Sequence, residues 1–299
     1  MASNRCYALY NDFIEPGLFN GTGWDEAEPM LEARAHAASV EVLEAGLTNE
    51  YNWWVSGGLD VEENPLKTSE VRWLNGSWTQ GPQLPVKVSG HCVVQLRRDL
   101  SLLIGGRQNP SNYVYNWVDK KWASFPSLQT LRHYHGCGMI RNNIDGAEYV
   151  NDVIVSGGLT SSDEASPLAS VEIYDAALQK WKIGPDFEYT LFGHAIVQYS
   201  SDQILSVGGA TEFGATQDIW SLSKSDLSQW KRFGNSKKLQ LDFKIVCMNN
   251  SLVSAIIPRM AHVAFLVPKI SFACEGDETD QFDEKMIYDQ ELIETLTME

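Results

Sequence analysis

Regularly spaced histidines are the feature of this chain that most readily suggests chemistry. The chain has six histidines among 299 residues, and the spacing predicts that five of them share one position of a repeat. These five are His36, His91, His135, His194 and His262. A ring of imidazoles could bind zinc, iron or copper. A residue that every repeat carries more often serves the packing that all repeats share, so we predict that these histidines join neighbouring repeats and bind no metal.

Tryptophans recur with the same regularity. The repeat tryptophans are Trp78, Trp122, Trp181 and Trp230. The first three each lie 13 residues before a repeat histidine, and Trp24 lies 12 residues before His36. Exposed tryptophans can stack on a sugar or a cation. Because these occur once in each repeat, we predict instead that they are large apolar side chains packed between adjacent sheets.

Glycine doublets end four apolar runs that are rich in β-branched residues. The doublets are formed by Gly57, Gly58, Gly105, Gly106, Gly157, Gly158, Gly208 and Gly209. Each run is typical of a β-strand that ends where the backbone needs a positive φ or a close approach. A polar loop and a strand with an aromatic residue follow each doublet. The histidine lies 14 to 22 residues before its doublet, which predicts constant joints and variable loops.

These positions together predict a repeat of four strands, with a period of about 45–60 residues, and four-stranded units of that length are the blades of a β-propeller. The order of Gly-Gly, aromatic residue and tryptophan resembles the kelch repeat, as do the segments Arg34–His36 and Arg132–His135. The resemblance extends from Trp24 to Trp230 and implies an all-β, kelch-type β-propeller.

The repeat positions also predict the organisation of the chain. We place full blades at 34–82, 88–126, 132–185 and 191–232 within a propeller that spans residues 1–274. A further blade is predicted from residues 1–30 and 258–274, because pairing of the two chain ends removes the open sheet edge of a ring. Residues 233–257 are interpreted as an irregular insert or a degenerate blade, so we expect five blades, with six as the alternative. Residues 275–299 are predicted to be an acidic tail.

Composition excludes some partners and favours a compartment. The net charge of −16 argues against nucleic acid and anionic membranes, which attract basic surfaces. Five scattered cysteines without CxxC spacing favour reduced thiols in a monomeric cytoplasmic protein. The alternative is an extracellular protein whose sequence is truncated at the N-terminus, and the glycosylation sequons at Asn20, Asn75 and Asn249 favour it.

Enzyme chemistry is the main alternative to binding. Some enzymes with kelch-like propellers hold copper with a Tyr–Cys crosslink, a second tyrosine and two histidines, and others hold iron with a Glu/Asp/His cluster. Cys92 and Cys137 lie beside repeat histidines, but only His133 stands apart from the histidine repeat. No GxSxG, Walker, HExxH or GxGxxG motif is present. We predict no catalysis and no cofactor, and keep as the alternative a metal-dependent lyase or oxidase acting at the channel mouth.

The loops after the doublets and the connections between blades are predicted to open on one face of the ring. They vary in length and composition, which is where function lies on a rigid scaffold. The kelch resemblance implies that this face grips an acidic or extended peptide. The predicted contact residues are Arg34, Asp60, Arg107, Asn109, Arg132 and Tyr189. We therefore predict a module that binds a protein or peptide, whose identity the sequence does not reveal.

Overall fold

The computed structural model describes residues 28–43, 51–140 and 151–235, apart from gaps at 74, 98, 108, 110, 161–165 and 201, and six strands nearer the chain ends. All regular secondary structure in this part of the chain is β, and none of it is a helix that could cross a membrane. His262, the predicted tail at 275–299 and most of 258–274 lie outside the described residues.

The first three strands form a small antiparallel sheet. They are β1 (Cys6–Ala8), β2 (Gly17–Phe19) and β3 (Trp24–Glu26). The last three also form one sheet, with β24 (Lys244–Met248), β25 (Ser251–Ala255) and β26 (Ile270–Ser271). Part of the segment interpreted as an insert or a degenerate blade is therefore a β-hairpin.

Between these sheets lie four sheets of four antiparallel strands, which we call blades 1 to 4. Blade 1 consists of β4 (Ala38–Leu43), β5 (Tyr51–Ser56), β6 (Ser69–Arg72) and β7 (Trp78–Gln80). Blade 2 consists of β8 (Cys92–Arg97), β9 (Leu100–Ile104), β10 (Asn112–Asn116) and β11 (Lys121–Phe125).

The next two blades carry additional short strands in their loops. Before blade 3 lies β12 (Arg132–His133), which pairs with β15 (Leu159–Thr160). Blade 3 consists of β13 (Gly136–Ile140), β14 (Asp152–Ser156), β16 (Val171–Asp175) and β17 (Lys180–Ile183). Blade 4 consists of β18 (Ala195–Gln198), β19 (Gln203–Val207), β22 (Asp218–Ser223) and β23 (Lys231–Asn235). Its loop holds the hairpin of β20 (Ala210–Thr211) and β21 (Gly214–Ala215).

The blades are arranged as in a β-propeller. The innermost strand of each blade contacts that of the next, in the order β4, β8, β13 and β18. Three apolar layers fill the spaces between consecutive blades, and the layer between blades 3 and 4 contains the fully buried Ile154, Leu191 and Leu222. Full burial of such side chains contributes about 1.5–3 kcal/mol each. The predicted all-β propeller with four four-stranded blades is thus confirmed.

Candidate protein-binding face

The blade connections and the doublet loops meet at one end of the sheets. Backbone pairing joins Ala35 with Leu59 in blade 1, Arg132 with Thr160 in blade 3, and Phe192 with Ala210 in blade 4. We call this end the loop face; its connections are 28–37, 81–91, 126–135 and 184–194, and its doublet loops are 57–68, 105–111, 157–170 and 208–217. The tight turns at the other end of the sheets form the turn face.

Glycine doublets lie at the joints between blades. Every doublet glycine has a positive φ, from 56° to 109°. A Cβ on Gly57 would lie 2.5 Å from the Val88 carbonyl oxygen in the connection that leads to blade 2. No other residue fits there, because both the backbone conformation and the space require glycine.

The repeat tryptophans join each outer strand to the connection that precedes its blade. Each indole Nε1 donates a hydrogen bond of 2.8–3.0 Å to a backbone carbonyl of that connection. The pairs are Trp78 with Glu28, Trp122 with Gln83, Trp181 with Pro126, and Trp230 with Pro185. A tryptophan used in this way anchors a blade through both its polar N–H and its apolar ring.

Two of the repeat histidines join consecutive blades. His91 Nε2 lies 2.9 Å from Ser56 Oγ, and His194 Nε2 lies 2.8 Å from Ser156 Oγ. Each serine directly precedes the doublet of the preceding blade. Burial lowers the pKa of His194 to about 3, so the imidazole is neutral and bonds to the serine as a neutral group.

His135 occupies the same position without this bond. Ile104 stands in blade 2 where Ser56 and Ser156 stand in blades 1 and 3. Both ring nitrogens of His135 consequently have no hydrogen-bond partner among the described residues. Burial, followed by the nearby Arg132 guanidinium, holds the pKa of His135 well below its usual value.

His36 does not share the repeat position that the sequence predicts for it. Ala37 packs against the second doublet glycine of blade 1, as His91 does in blade 2. His36 instead corresponds to Gly90, Tyr134 and Gly193, and all four have φ between 52° and 62°. The spacing of 12 rather than 13 residues after Trp24 already carried this offset.

These four residues link the blades where the innermost strands begin. Gly90 N donates to His36 O at 3.0 Å, Tyr134 N to Gly90 O at 2.8 Å, and Gly193 N to Tyr134 O at 2.8 Å. Non-glycine residues rarely adopt a positive φ, and such strain is often found at functional sites. The His36 and Tyr134 rings meet edge to face with centroids 5.1 Å apart, so the mouth of the channel is partly aromatic.

Two of the predicted contact residues lie inside the joints, so their assignment to a partner site is corrected. The side chains of Arg34 and Arg132 are both 0% exposed. Arg132 Nη1 donates to the carbonyls of Gly157 and Ser170 at 2.9 and 2.8 Å, and Nη2 donates to Glu172 at 2.9 Å. Arg34 makes the equivalent bonds to Gly57, Thr68 and Glu70. The guanidinium forks satisfy buried carbonyls, and neither side chain is available at the surface.

Sequence reasoning missed the two glutamates of these joints. Glu70 and Glu172 are nearly fully buried, and each also accepts two backbone N–H bonds from the connection that precedes its blade. In blades 2 and 4 the equivalent positions hold apolar pairs, namely Val88 with Tyr113 and Leu191 with Trp220. This alternation of an Arg–Glu pair with an apolar pair was the signal that could have revealed them.

Asn109 is also buried and stabilises its own loop, so its prediction as a contact residue is corrected too. Its Nδ2 donates to the carbonyls of Gly105 and Ser111 at 2.9 and 2.8 Å. Asp60 is half-buried and accepts backbone bonds from Glu62 and Asn64, of which the Asn64 bond chiefly lowers its pKa. An Asp in such a loop stabilises the turn that contains it.

Tyr189 and Arg107 keep some surface on the loop face. Tyr189 is half-buried, donates to Asp218 at 2.5 Å and accepts from Trp220 Nε1 at 2.9 Å. Burial raises its pKa. Arg107 is exposed, and it is the one arginine among the predicted contact residues that a partner could reach.

Exposed apolar side chains on the loop face were not predicted. Phe213 lies at the tip of the β20–β21 hairpin and is 91% exposed. Leu31, Val61 and Leu131 are also exposed on this face. The sequence signal was a phenylalanine between Glu212 and Gly214 in a loop, where a phenylalanine has no strand face to cover.

The loop face is acidic. Its carboxylates outside the buried ion pairs are Glu28, Glu32, Asp60, Glu62, Glu63, Asp186, Glu188 and Glu212. Its cations outside those pairs, within the described residues, are Lys67, Lys87 and Arg107. The turn face mixes both signs, with Lys120 and Lys224 beside Asp119 and Asp226. An acidic peptide, which the kelch resemblance implies, is therefore a poor match for this face.

Two cysteines form a disulfide, so the prediction of reduced thiols is wrong for this pair. Cys92 on β8 and Cys137 on β13 are bonded, with their Cα atoms 6.2 Å apart. They join the innermost strands of blades 2 and 3, which lie side by side although 45 residues separate the cysteines in the chain. The copper-oxidase alternative would need one of these two sulfurs as a free thiol.

Within the described residues, no three His, Cys, Asp or Glu side chains are grouped so that they could hold a metal ion. No known family model and no curated protein sequence matches the chain.

The buried histidines predict a pH dependence. The folded pKa of His194 is about 3, below the ordinary value of 6.5, so its stabilisation is complete above pH 6.5 and is lost as the pH falls toward 3. Between pH 5.5 and 4.5, His194→Gln is expected to flatten the fall in the free energy of unfolding by about 1.4 kcal/mol per pH unit. Denaturant titrations at several pH values measure this slope.

Ser156→Ala is the matched control for this experiment. It removes the hydroxyl bonded to His194 and keeps the titrating ring. It should lower stability by about 1 kcal/mol and leave the slope unchanged. An unchanged slope in His194→Gln would show that this histidine does not titrate on unfolding.

Proposed function

We propose that this chain is a kelch-type propeller that binds a protein segment on its loop face and catalyses no reaction. We further propose that the segment is basic and carries an apolar side chain. The observation that carries this proposal is Phe213, which is 91% exposed at the tip of a hairpin on that face. Isolated exposed apolar residues are common, but a nearly free aromatic ring on a loop is costly in water and is a frequent anchor at interfaces.

The charge of the loop face supports a basic partner. Eight carboxylates surround three cations outside the buried pairs, and Glu212 directly precedes Phe213. Complementary charge raises the association rate and suppresses wrong partners, while burial of an aromatic ring supplies affinity. Burying Phe213 against a partner would contribute about 1.5–3 kcal/mol, which corresponds to a factor of roughly ten to a hundred in affinity.

The repeat positions support a scaffold rather than a catalyst. His91 and His194 bond to serines of the preceding blade, the tryptophans bond to connections, and Arg34 and Arg132 bond to buried carbonyls. The residues that could do chemistry are thus engaged in joints between blades. The exposed residues of the loop face differ from blade to blade, as a binding surface requires.

We also propose five blades. The strand β24 contacts β18, as the innermost strands of consecutive blades contact one another, and β1 contacts β25. A fifth blade built from β24, β25 and the N-terminal strands would pair the two chain ends, as the sequence analysis expects. Its inner strand would begin at Lys244 rather than near residue 258.

The test compares two exposed apolar residues on opposite faces. Phe213→Ser removes the ring on the loop face, and Leu178→Ser removes a side chain that is 62% exposed in a turn of the turn face. Proteins captured by the wild-type chain after crosslinking are identified by mass spectrometry, and the affinity of each is then measured with purified material. We expect Phe213→Ser to weaken the specific partner at least tenfold and Leu178→Ser to leave it unchanged.

The charge of the partner gives a second measurement on the same complex. Association should slow as the salt concentration rises, because steering between opposite charges is screened. Equal binding by the two serine variants would contradict the loop face as the site. An acidic partner would contradict the proposed chemistry while leaving the face intact.

A further inference from the structure

The turn between β6 and β7 presents an Asn-Gly-Ser sequon at the protein surface. Asn75 is exposed, and Gly76 has a φ of 90°. The turn is closed by backbone bonds between Trp73 and Ser77 at 3.0 Å and between Gly76 and Trp73 at 2.9 Å. The sequon therefore lies in a tight turn at the surface, where an enzyme can reach it.

The side chains of the sequon are already arranged around the carboxamide. Ser77 N donates to Asn75 Oδ1 at 3.0 Å, and Ser77 Oγ lies 2.7 Å from the same oxygen. The hydroxyl bond draws electron density from the amide and makes its N–H protons easier to remove. Among the described residues, Asn75 Nδ2 makes no hydrogen bond, so this nitrogen is free to react.

The disulfide is an independent observation that points to the same compartment. Cys92 and Cys137 are bonded between two blades, whereas thiols in the cytosol are kept reduced. Disulfides form in the oxidising lumen of the secretory pathway, where asparagine glycosylation also takes place. The disulfide thus favours the extracellular alternative of the sequence analysis over the cytoplasmic expectation.

We propose that Asn75 is an N-glycosylation site and that the protein matures in the secretory pathway. The donor would be an oligosaccharide linked to a lipid diphosphate. Asn75 Nδ2 attacks the anomeric carbon of the first sugar, so that an N–C bond forms and the C–O bond to the phosphate breaks. The lipid diphosphate leaves with the electron pair, and Nδ2 gives its proton to a base of the transferase.

A glycan at this position would not interfere with partner binding. The β6–β7 turn lies on the turn face, at the opposite end of blade 1 from Val61 and the doublet loop. A glycan on Asn75 would extend away from the loop face. The modification and the proposed binding function can therefore succeed or fail separately.

The primary experiment maps the protein isolated from the cells that make it. Trypsin cuts after Arg72 and Lys87, which releases a peptide of residues 73–87 with Asn75 as its one sequon. Enzymatic removal of the glycan in heavy-oxygen water converts a glycosylated asparagine into labelled aspartate. We expect the label at position 75 in most copies, together with the Cys92–Cys137 peptide under non-reducing conditions.

Matched variants of the full chain, secreted from eukaryotic cells, test the assignment to the sequon. Ser77→Ala and Asn75→Gln should abolish the label in the 73–87 peptide, whereas Ser77→Thr should retain it because threonine also completes the sequon. Finding Asn75 unmodified in the natural protein would overturn the proposal. A label that persists in Ser77→Ala would also overturn it, because the modification would then not depend on the sequon.

Discussion

Replacing Arg132 with methionine is expected to lower the free energy of unfolding by about 3–5 kcal/mol, the usual cost of breaking one side of a buried ion pair. The Arg132 side chain is 0% exposed and lies 2.9 Å from Glu172. Without it, the carboxylate of Glu172 stays buried without its cation, and the carbonyls of Gly157 and Ser170 lose their donor. Denaturant unfolding of the variant beside the wild type measures the loss.

Arg232→Met is the surface control for this prediction. Arg232 pairs with Asp218 at 2.7 Å, but its side chain is 59% exposed. An exposed pair contributes about 0–1 kcal/mol, because water screens the charges and the long side chain loses entropy. Equal losses in the two variants would show that the Arg132 joint contributes no more than a surface contact.

Blade 4 provides a design that could restore stability. Its equivalent residues are Leu191 and Trp220, so Arg132→Leu combined with Glu172→Trp copies an apolar pair that the same fold already uses. Replacing a buried ion pair by apolar residues is often neutral or stabilising when they pack well. We expect the double variant to recover most of the stability lost in Arg132→Met. A double variant that is less stable than either single change would mean that the polar pair is needed for the geometry of the joint.

Removing the Cys92–Cys137 disulfide is expected to have a comparable effect. The bridge closes a loop with a sequence separation of 45 residues. In the loop-entropy model such a bridge stabilises the folded state by about 4 kcal/mol, because it restricts the unfolded chain. The double change Cys92→Ser and Cys137→Ser should therefore lower the midpoint of chemical unfolding markedly. Serine keeps the size of the side chains close to that of cysteine.

A reductant distinguishes the bridge from the loss of two sulfur atoms. Reduction should destabilise the wild type about as much as the double serine change does. The same reductant should move the midpoint of the double variant far less. If the reduced wild type unfolds at the same midpoint as the oxidised protein, the bridge does not contribute to stability.

The sequence by itself determined the repeat. The four doublets, the four repeat tryptophans and the 13-residue spacing identified four blades of four strands, because each joint needs the same residue types at the same separation. Strand and turn chemistry is local, and a pattern repeated four times averages out the ambiguity of any one copy. The loops that meet on one face follow from antiparallel strand order alone.

Only the tertiary structure decided which polar side chains are exposed. Arg34, Arg132 and Asn109 have the composition of a binding surface, but they satisfy carbonyls that the joints bury. Whether an arginine faces water depends on a glutamate 36 or 40 residues away, which no local pattern specifies. The offset of His36 likewise depends on how a connection meets the doublet of its own blade.

The disulfide and Phe213 show the same limit from opposite sides. Cys92 and Cys137 become neighbours only when the innermost strands of blades 2 and 3 lie side by side, and Phe213 remains in water because nothing in the described ring folds over its hairpin. Residues distant in the chain are brought together, or kept apart, by the packing of whole blades. Local sequence therefore determined the blades, and the contacts between blades decided which surface is left to bind a partner.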